Sequence, residues 1–227
     1  MTPVPAYLKK VKHYWTSDNS FISLMLMLLF IVFVLPIIVS RESDTDMLQN
    51  IFLVGLFIVG VFSAKESVHF WLSIILVSIH VLLRIIRFTD NPFQFLELER
   101  IVIILNLGVF ILINFKLLFR DQEANVYRIV GAVNVYLSVA LMATFAFELI
   151  HLHFGTSIAG NLELRGDDSD FAEFMYFSLV SISTVGFGDV HPDNIQAKMI
   201  SSFVSVFGIL YPAIVIAKLV SISTKRN

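Results

Sequence analysis

Phe21 to Ser40 runs for twenty residues without a charge, and about twenty helical residues are enough to cross the ~30 Å hydrocarbon core of a bilayer. No small-residue cleavage pattern follows it, so it reads as a first transmembrane helix and not as a signal peptide. Further apolar runs occupy Met47 to Ala64, Val68 to Phe88, Ile101 to Phe119, Ile129 to Phe154 and Ala197 to Ser221. The expectation is an all-α integral membrane fold with six transmembrane helices. Composition agrees: 57% of the 227 residues are hydrophobic, 15% are charged and the mean hydropathy is +0.82, too apolar for an ordinary soluble domain. A formal net charge of −2 argues against a nucleic-acid partner. The absence of Cys removes disulfides, thiolate metal sites and cysteine catalysis together.

Between the fifth and sixth runs lies a polar stretch, Gly155 to Asp170, and then a helix-compatible segment, Phe171 to Ser183, too short to cross. Such a segment must dip in and return. Irregular backbone at membrane depth is tolerated only where protein or a water-filled cavity surrounds it, so the return loop implies a pore. That loop is Thr184-Val185-Gly186-Phe187-Gly188-Asp189. Gly186 and Gly188 can take backbone angles closed to other residues, which allows successive carbonyls to point the same way instead of alternating as in a strand.

This loop resembles the filters of the potassium channel family, of the Thr-Val-Gly-Tyr-Gly type, in which carbonyl oxygens replace the hydration shell of the ion. Phe187 stands where that version has Tyr, which removes one hydroxyl from the filter's supports. The resemblance implies a six-transmembrane channel subunit with one pore loop. It places K+ at the carbonyls of a filter formed by Thr184, Val185, Gly186, Phe187 and Gly188, with the Thr184 hydroxyl at the innermost site. Tyr176, Phe177 and Val180 fall where family members support the filter, and Tyr176 is expected to hydrogen-bond Asp189. Some relatives carry a glutamate at the place of Val180; without it, Asp189 is expected to stay ionised at the outer mouth and concentrate cations there. Gly208 matches the family's inner-helix hinge, and Pro212 removes a backbone donor one turn later, so this helix should bend. The plainer reading is that Gly208 lets helices approach closely and Pro212 makes a static kink. Ile216 and Val220 lie by spacing where an apolar constriction would gate the pore.

Ten of the sixteen Lys and Arg fall on the cytoplasmic side if the N-terminus is there, in keeping with the positive-inside rule. Both termini are then cytoplasmic, in a multi-pass protein of the plasma membrane; the compact chain suggests a prokaryotic one. Tyr7, Leu8, Val11, Tyr14 and Trp15 share one helical face, as in an interfacial anchor. The expected organisation is an N-terminal interfacial segment at 1–20, a four-helix voltage-sensor-like domain at 21–119, a linker at 120–128, a pore domain at 129–221 and a tail at 222–227. The short linker favours packing of the first four helices on their own subunit's pore domain. Only six residues follow Ser221, so no cytoplasmic ligand-binding module is expected to gate the chain.

The fourth run lacks the repeated cations of a voltage sensor: Arg100 stands at one end, Ile101 to Phe115 is uncharged, and Lys116 stands at the other. Steep voltage gating is not expected. His80, Arg84 and Arg87 share a face of the third run. Weak voltage sensing by Arg84, Arg87 and Arg100 is one reading; for the third run the other has its long side chains snorkelling to the outer interface and pairing with Asp90, Glu97 and Glu99. Glu148, His151 and His153 are expected to hydrogen-bond the polar stretch, and Asn106, Asn114 and Asn134 to bond between helices.

One filter loop supplies a quarter of each carbonyl ring, so the resemblance implies a homotetramer in membrane lipid, passing K+ with no cofactor. No enzymatic motif such as H-E-x-x-H is present. A nonconducting membrane sensor or assembly subunit, or a nonselective cation channel, are the alternative readings.

Overall fold

The computed structural model describes residues 20–39, 46–63, 66–88, 95–119 and 126–224. The expected interfacial segment at 1–20 lies almost wholly outside them, as do Asp90 and most of the linker. The chain is a multi-pass α-helical membrane protein. Helix α1 spans Ser20–Val39, and α2 (Asp46–Ser63), α3 (Ser67–Phe88), α4 (Leu96–Phe119) and α5 (Val126–Phe154) follow. Next come a short strand β1 (Ile158–Gly160), helix α6 (Phe171–Ile182), strand β2 (Val190–Pro192) and helix α7 (Ile195–Thr224).

Among the described residues, α1, α3, α4, α5 and α7 are long and apolar enough to cross a membrane. Five of the six expected spans meet that length, and the second corresponds to α2, whose described apolar stretch is Leu48–Ser63. Helix α1 is not regular: Phe30–Val34 forms a π-helical turn in which the Leu35 N–H reaches the Phe30 carbonyl. The cause is Pro36, whose ring would clash with the carbonyl of Val32 in an α-helix. The widened turn makes room for it.

Helix α5 forms the spine of the fold. Leu137, Leu141 and Phe145 share a buried cluster with Leu24, Leu28 and Ile31 of α1 and Ile103, Leu107 and Phe110 of α4. Ala140, Ala143 and Phe147 join a second cluster with Phe174 and Phe177 of α6 and Val204 and Val215 of α7. Helices α1 and α4 therefore pack directly on the α5 of their own chain. Close approach is fitted by small residues: a Cβ on Gly60 of α2 would overlap the ring of Phe110.

Two of the three asparagines expected to link helices do so. Asn134 of α5 donates to Asn114 Oδ1 of α4 at 3.0 Å and to the Phe21 carbonyl of α1 at 3.0 Å. Asn114 in turn donates to the Phe110 carbonyl at 2.8 Å. Asn106 is fully buried, with no hydrogen-bond partner among the described residues.

Asn134→Ala removes a bond that ties three helices and leaves the buried Asn114 oxygen unpaired. It should destabilise the protein by about 1 kcal/mol, the scale of interhelical hydrogen bonds in membranes, read as a lower thermal midpoint in detergent.

Candidate functional site

The segment between α5 and α7 forms a loop closed at its base. Strands β1 and β2 pair antiparallel, with Ile158 opposite Pro192, Ala159 opposite His191 and Gly160 opposite Val190. Thr156 Oγ1 donates to Asp193 Oδ2 at 2.6 Å, the Asp193 N–H to the Ser157 carbonyl at 2.9 Å, and Asn194 Nδ2 to the Thr156 carbonyl. Asn194 also caps α7, its Oδ1 accepting from the Ala197 N–H at 2.8 Å. Gly160 has φ 153°, and a Cβ there would overlap the Asp189 carbonyl. Only glycine lets β1 lie this close to the exit of the Thr184–Gly188 stretch.

Within this closed loop α6 is twelve residues long, about 18 Å. Its last carbonyls have no partners inside the helix, and each finds one elsewhere. The Leu179 oxygen accepts from the Ser183 N–H at 3.0 Å, the Val180 oxygen from the Val185 N–H at 3.2 Å, and the Ser181 oxygen from the Thr184 N–H at 3.1 Å. Ser205 of α7 also donates to the Ser181 oxygen at 3.0 Å, and Tyr136 of α5 donates to the Ile182 oxygen at 3.2 Å. The helix end is thereby fixed to both flanking helices. Ser178 adds a bond to the Ala140 carbonyl at 2.5 Å, and Phe177 packs edge-on against Phe147 at 4.8 Å between centroids.

From this anchored end the backbone alternates in hand. Thr184, Gly186 and Gly188 have φ of 58°, 57° and 83°, while Val185 and Phe187 keep negative φ. Alternation of this kind turns successive N–H groups to one side and carbonyls to the other. Thr184 is the only non-glycine residue with positive φ among those described, a conformation that costs energy and is retained where surroundings impose it. The side chains of Val185 and Phe187 are 53% and 71% exposed in the single chain. At the end of the stretch Asp189 accepts from the Tyr176 hydroxyl at 2.6 Å and from the Val190 N–H at 3.0 Å. The Tyr176 hydrogen bond, with the Val190 N–H, holds the Asp189 carboxyl below its ordinary range.

Helix α7 runs unbroken through Gly208 and Pro212. Gly208 lies against the Ile182 carbonyl so closely that a Cβ would collide with it. Pro212, four residues on, lacks the N–H that would bond the Gly208 carbonyl. The two residues thus act at one level of the helix. Tyr211 beside them donates to the Ala132 carbonyl at 3.1 Å. Ile216 and Val220 are 61% and 59% exposed, on a stretch of α7 that its own chain leaves uncovered.

The basic residues of α3 depart from the snorkelling reading. Arg84 and Arg100 are buried, at 5% and 0% exposure. They converge on Asp168, one turn before α6, which is itself fully buried. Arg84 contacts Asp168 Oδ2 at 2.7 Å, Arg87 contacts Oδ1 at 3.1 Å, and Arg100 also contacts Oδ1. Asn50 of α2 donates to Oδ2 at 3.2 Å. Glu99 pairs with Arg84 at 3.0 Å, as one of the expected partners, and Glu148 of α5 pairs with Arg100 at 2.5 Å. Burial alone would raise the Asp168 carboxyl, but the guanidiniums of Arg100, Arg84 and Arg87 outweigh it and hold it well below the ordinary carboxylate value. His80, a turn from Arg84, is buried edge-on to Phe57 at 5.2 Å. Glu97 meets His153 at 3.5 Å on the exposed surface, and His151 lies 5.9 Å from the Phe174 ring. Sequence reasoning missed Asp168, because nothing local separates it from Asp167 and Asp170. Asp167 instead caps the turn through the Ser169 N–H, and Asp170 accepts from the Arg165 and Gly166 N–H groups.

Among the described residues no group of three His, Cys, Asp or Glu side chains is placed to hold a metal ion. Tyr176→Phe should let the Asp189 carboxyl titrate at a higher pH than in the wild type, measured by carboxyl carbon NMR. Gly208→Ala forces a methyl group into a backbone carbonyl and should cost about 1–3 kcal/mol, the usual penalty of overpacking, seen as a lower thermal midpoint.

No curated protein and no solved structure matches this chain. Residues 135–225, from within α5 through the Thr184–Asp189 loop and along α7, match the model of a family described as Ion channel, and this part of the chain is similar to that family.

Proposed function

We propose that the protein is a potassium-selective channel in which four copies surround one axis and each contributes Thr184–Gly188 to a common filter. The observation that carries this reading is the alternation of φ along the five residues, since aligned carbonyls from four chains would form stacked oxygen rings able to replace water around a dehydrated cation. Carbonyls of Val185, Gly186 and Phe187 line the upper rings, and the Thr184 hydroxyl completes the innermost site. The match of residues 135–225 to an ion channel family supports the same assignment. Exposure of Val185 and Phe187 in one chain accords with further copies packing around them.

Asp189, ionised and held by Tyr176, gives a ring of four negative charges at the mouth of this pore. Residues 129–221 make up the pore domain. Gly208 and Pro212 together mark its inner-helix hinge, and Ile216 with Val220 forms an apolar constriction beyond it. Residues 21–119 form a voltage-sensor-like domain without a repeat of charges. Arg84 and Arg100 are enclosed and paired with acids, so displacing them through the membrane field would break buried ion pairs. Conduction is therefore passive and not steeply voltage-dependent, and it needs no cofactor.

The test is a reversal potential in planar bilayers under opposed potassium and sodium gradients, followed by a voltage ramp. A reversal near the potassium equilibrium value with a shallow current–voltage curve is expected; reversal near zero would leave a nonselective pore. Gly186→Ala should abolish selectivity or current, because an L-side chain is strained at φ 57°. Unchanged selective flux in that variant would remove Gly186 from the filter.

A further inference from the structure

We propose that Asp168 is a positioning residue for the filter, through which helices α2, α3, α4 and α5 set the placement of Thr184–Gly188 from the filter end of the molecule. This rests on the channel reading given above. Asp168 begins the single turn, Asp168–Asp170, that runs directly into α6. Its two oxygens accept from four donors: Asn50 and Arg84 on Oδ2, Arg87 and Arg100 on Oδ1. A carboxylate offers about four lone-pair sites, so this one is saturated.

The donors come from three helices, and Glu148 brings in a fourth by pairing with Arg100. Asp168 therefore cannot shift without moving guanidiniums that are themselves packed: Arg100 is fully buried, its Cζ 5.7 Å from the Phe145 ring. At the other end of the same short helix, Ser181 and Ile182 are tied to α7 and α5 three and two residues before Thr184. Helix α6 is a rod held at both ends, and the hand-alternating stretch continues from it. Carbonyl rings that must match an ion to a fraction of an ångström need such a fixed mount. An asparagine at 168 keeps the shape of the side chain but offers one acceptor oxygen, and it aims an amide donor at guanidiniums.

The experiment compares wild type, Asp168→Asn and the control Glu97→Gln, a half-exposed carboxylate outside the cluster, as purified full-length protein in planar bilayers. Assembly is checked by size-exclusion chromatography. The readouts are the potassium-to-sodium permeability ratio from reversal potentials and its dependence on potassium concentration. Asp168→Asn is expected to lower the ratio at least about tenfold, well within what breaking a buried ion pair supplies. Raising potassium on both sides should restore it in part, because the ion binds and stabilises the ordered filter. A merely structural defect would reduce the number of active channels and leave the ratio unchanged. Where Asp168→Asn does not assemble, Arg87→Gln serves, since Arg87 is the outermost member of the cluster at 18% side-chain exposure; it should lower the ratio by a smaller factor. A selective wild type whose assembled Asp168→Asn, or in its place Arg87→Gln, keeps the wild-type ratio would overturn the positioning role alone. A wild type without potassium preference would overturn the channel reading, and the positioning role with it.

Discussion

Three guanidinium groups enclosed among membrane helices are a heavy burden on a fold unless carboxylates meet them, because desolvating each ion costs several kcal/mol. Here Asp168, Glu99 and Glu148 supply three formal negative charges against the three positive charges of Arg84, Arg87 and Arg100. The balance is reached only when the polar turn before α6, the ends of α3 and α4, and the last turns of α5 come together. Removing one partner from such a cluster costs about 3–5 kcal/mol, since the charge left behind remains buried. The cluster therefore rejects other arrangements of these helices more firmly than the apolar packing does, as Leu and Phe surfaces tolerate sliding and a saturated carboxylate does not.

The same accounting of polar groups governs the loop. Where α6 ends, each orphan carbonyl from Leu179 to Ile182 has a donor, and two of those donors, Ser205 and Tyr136, belong to other helices. In the proposed channel this loop would lie at membrane depth, where irregular backbone is tolerated only if protein or a water-filled cavity surrounds it. Thr184 can then be held at φ 58° because three consecutive N–H groups, from Ser183 to Val185, are already committed to the helix behind it.

Much of this was readable in the sequence where the signal is local. Alternate glycines at 186 and 188, a helix-compatible segment from Phe171 to Ser183 too short to cross, and a polar lead-in are short-range patterns, and α6 lies where the second of them put it. The contact of Tyr176 with Asp189 was implied by the resemblance, and asparagines inside apolar runs pointed to interhelical bonds without naming their partners. The Arg cluster was hidden for the opposite reason. Its central carboxylate lies 68 to 84 residues from its guanidinium partners, so no window of sequence holds both, and the cations alone looked like interface anchors. Strands β1 and β2, three residues each, carry no alternation long enough to detect. The π-helical turn in α1 had its mark in Pro36.

The contact of Gly208 with the Ile182 carbonyl has a thermodynamic side. Pro212 weakens α7 at the level where Gly208 rests on the final residue of α6, so in the proposed channel a swing of α7 would pivot on a point two residues from Thr184. A bend in the long helix and the order of the loop then share one fulcrum. In the proposed channel, linkage would make such an arrangement symmetric: whatever a cation held at the loop did to an equilibrium between straight and bent α7, bending would do in equal measure to the affinity for that cation. A residue without a side chain would then be the place where two equilibria are added together.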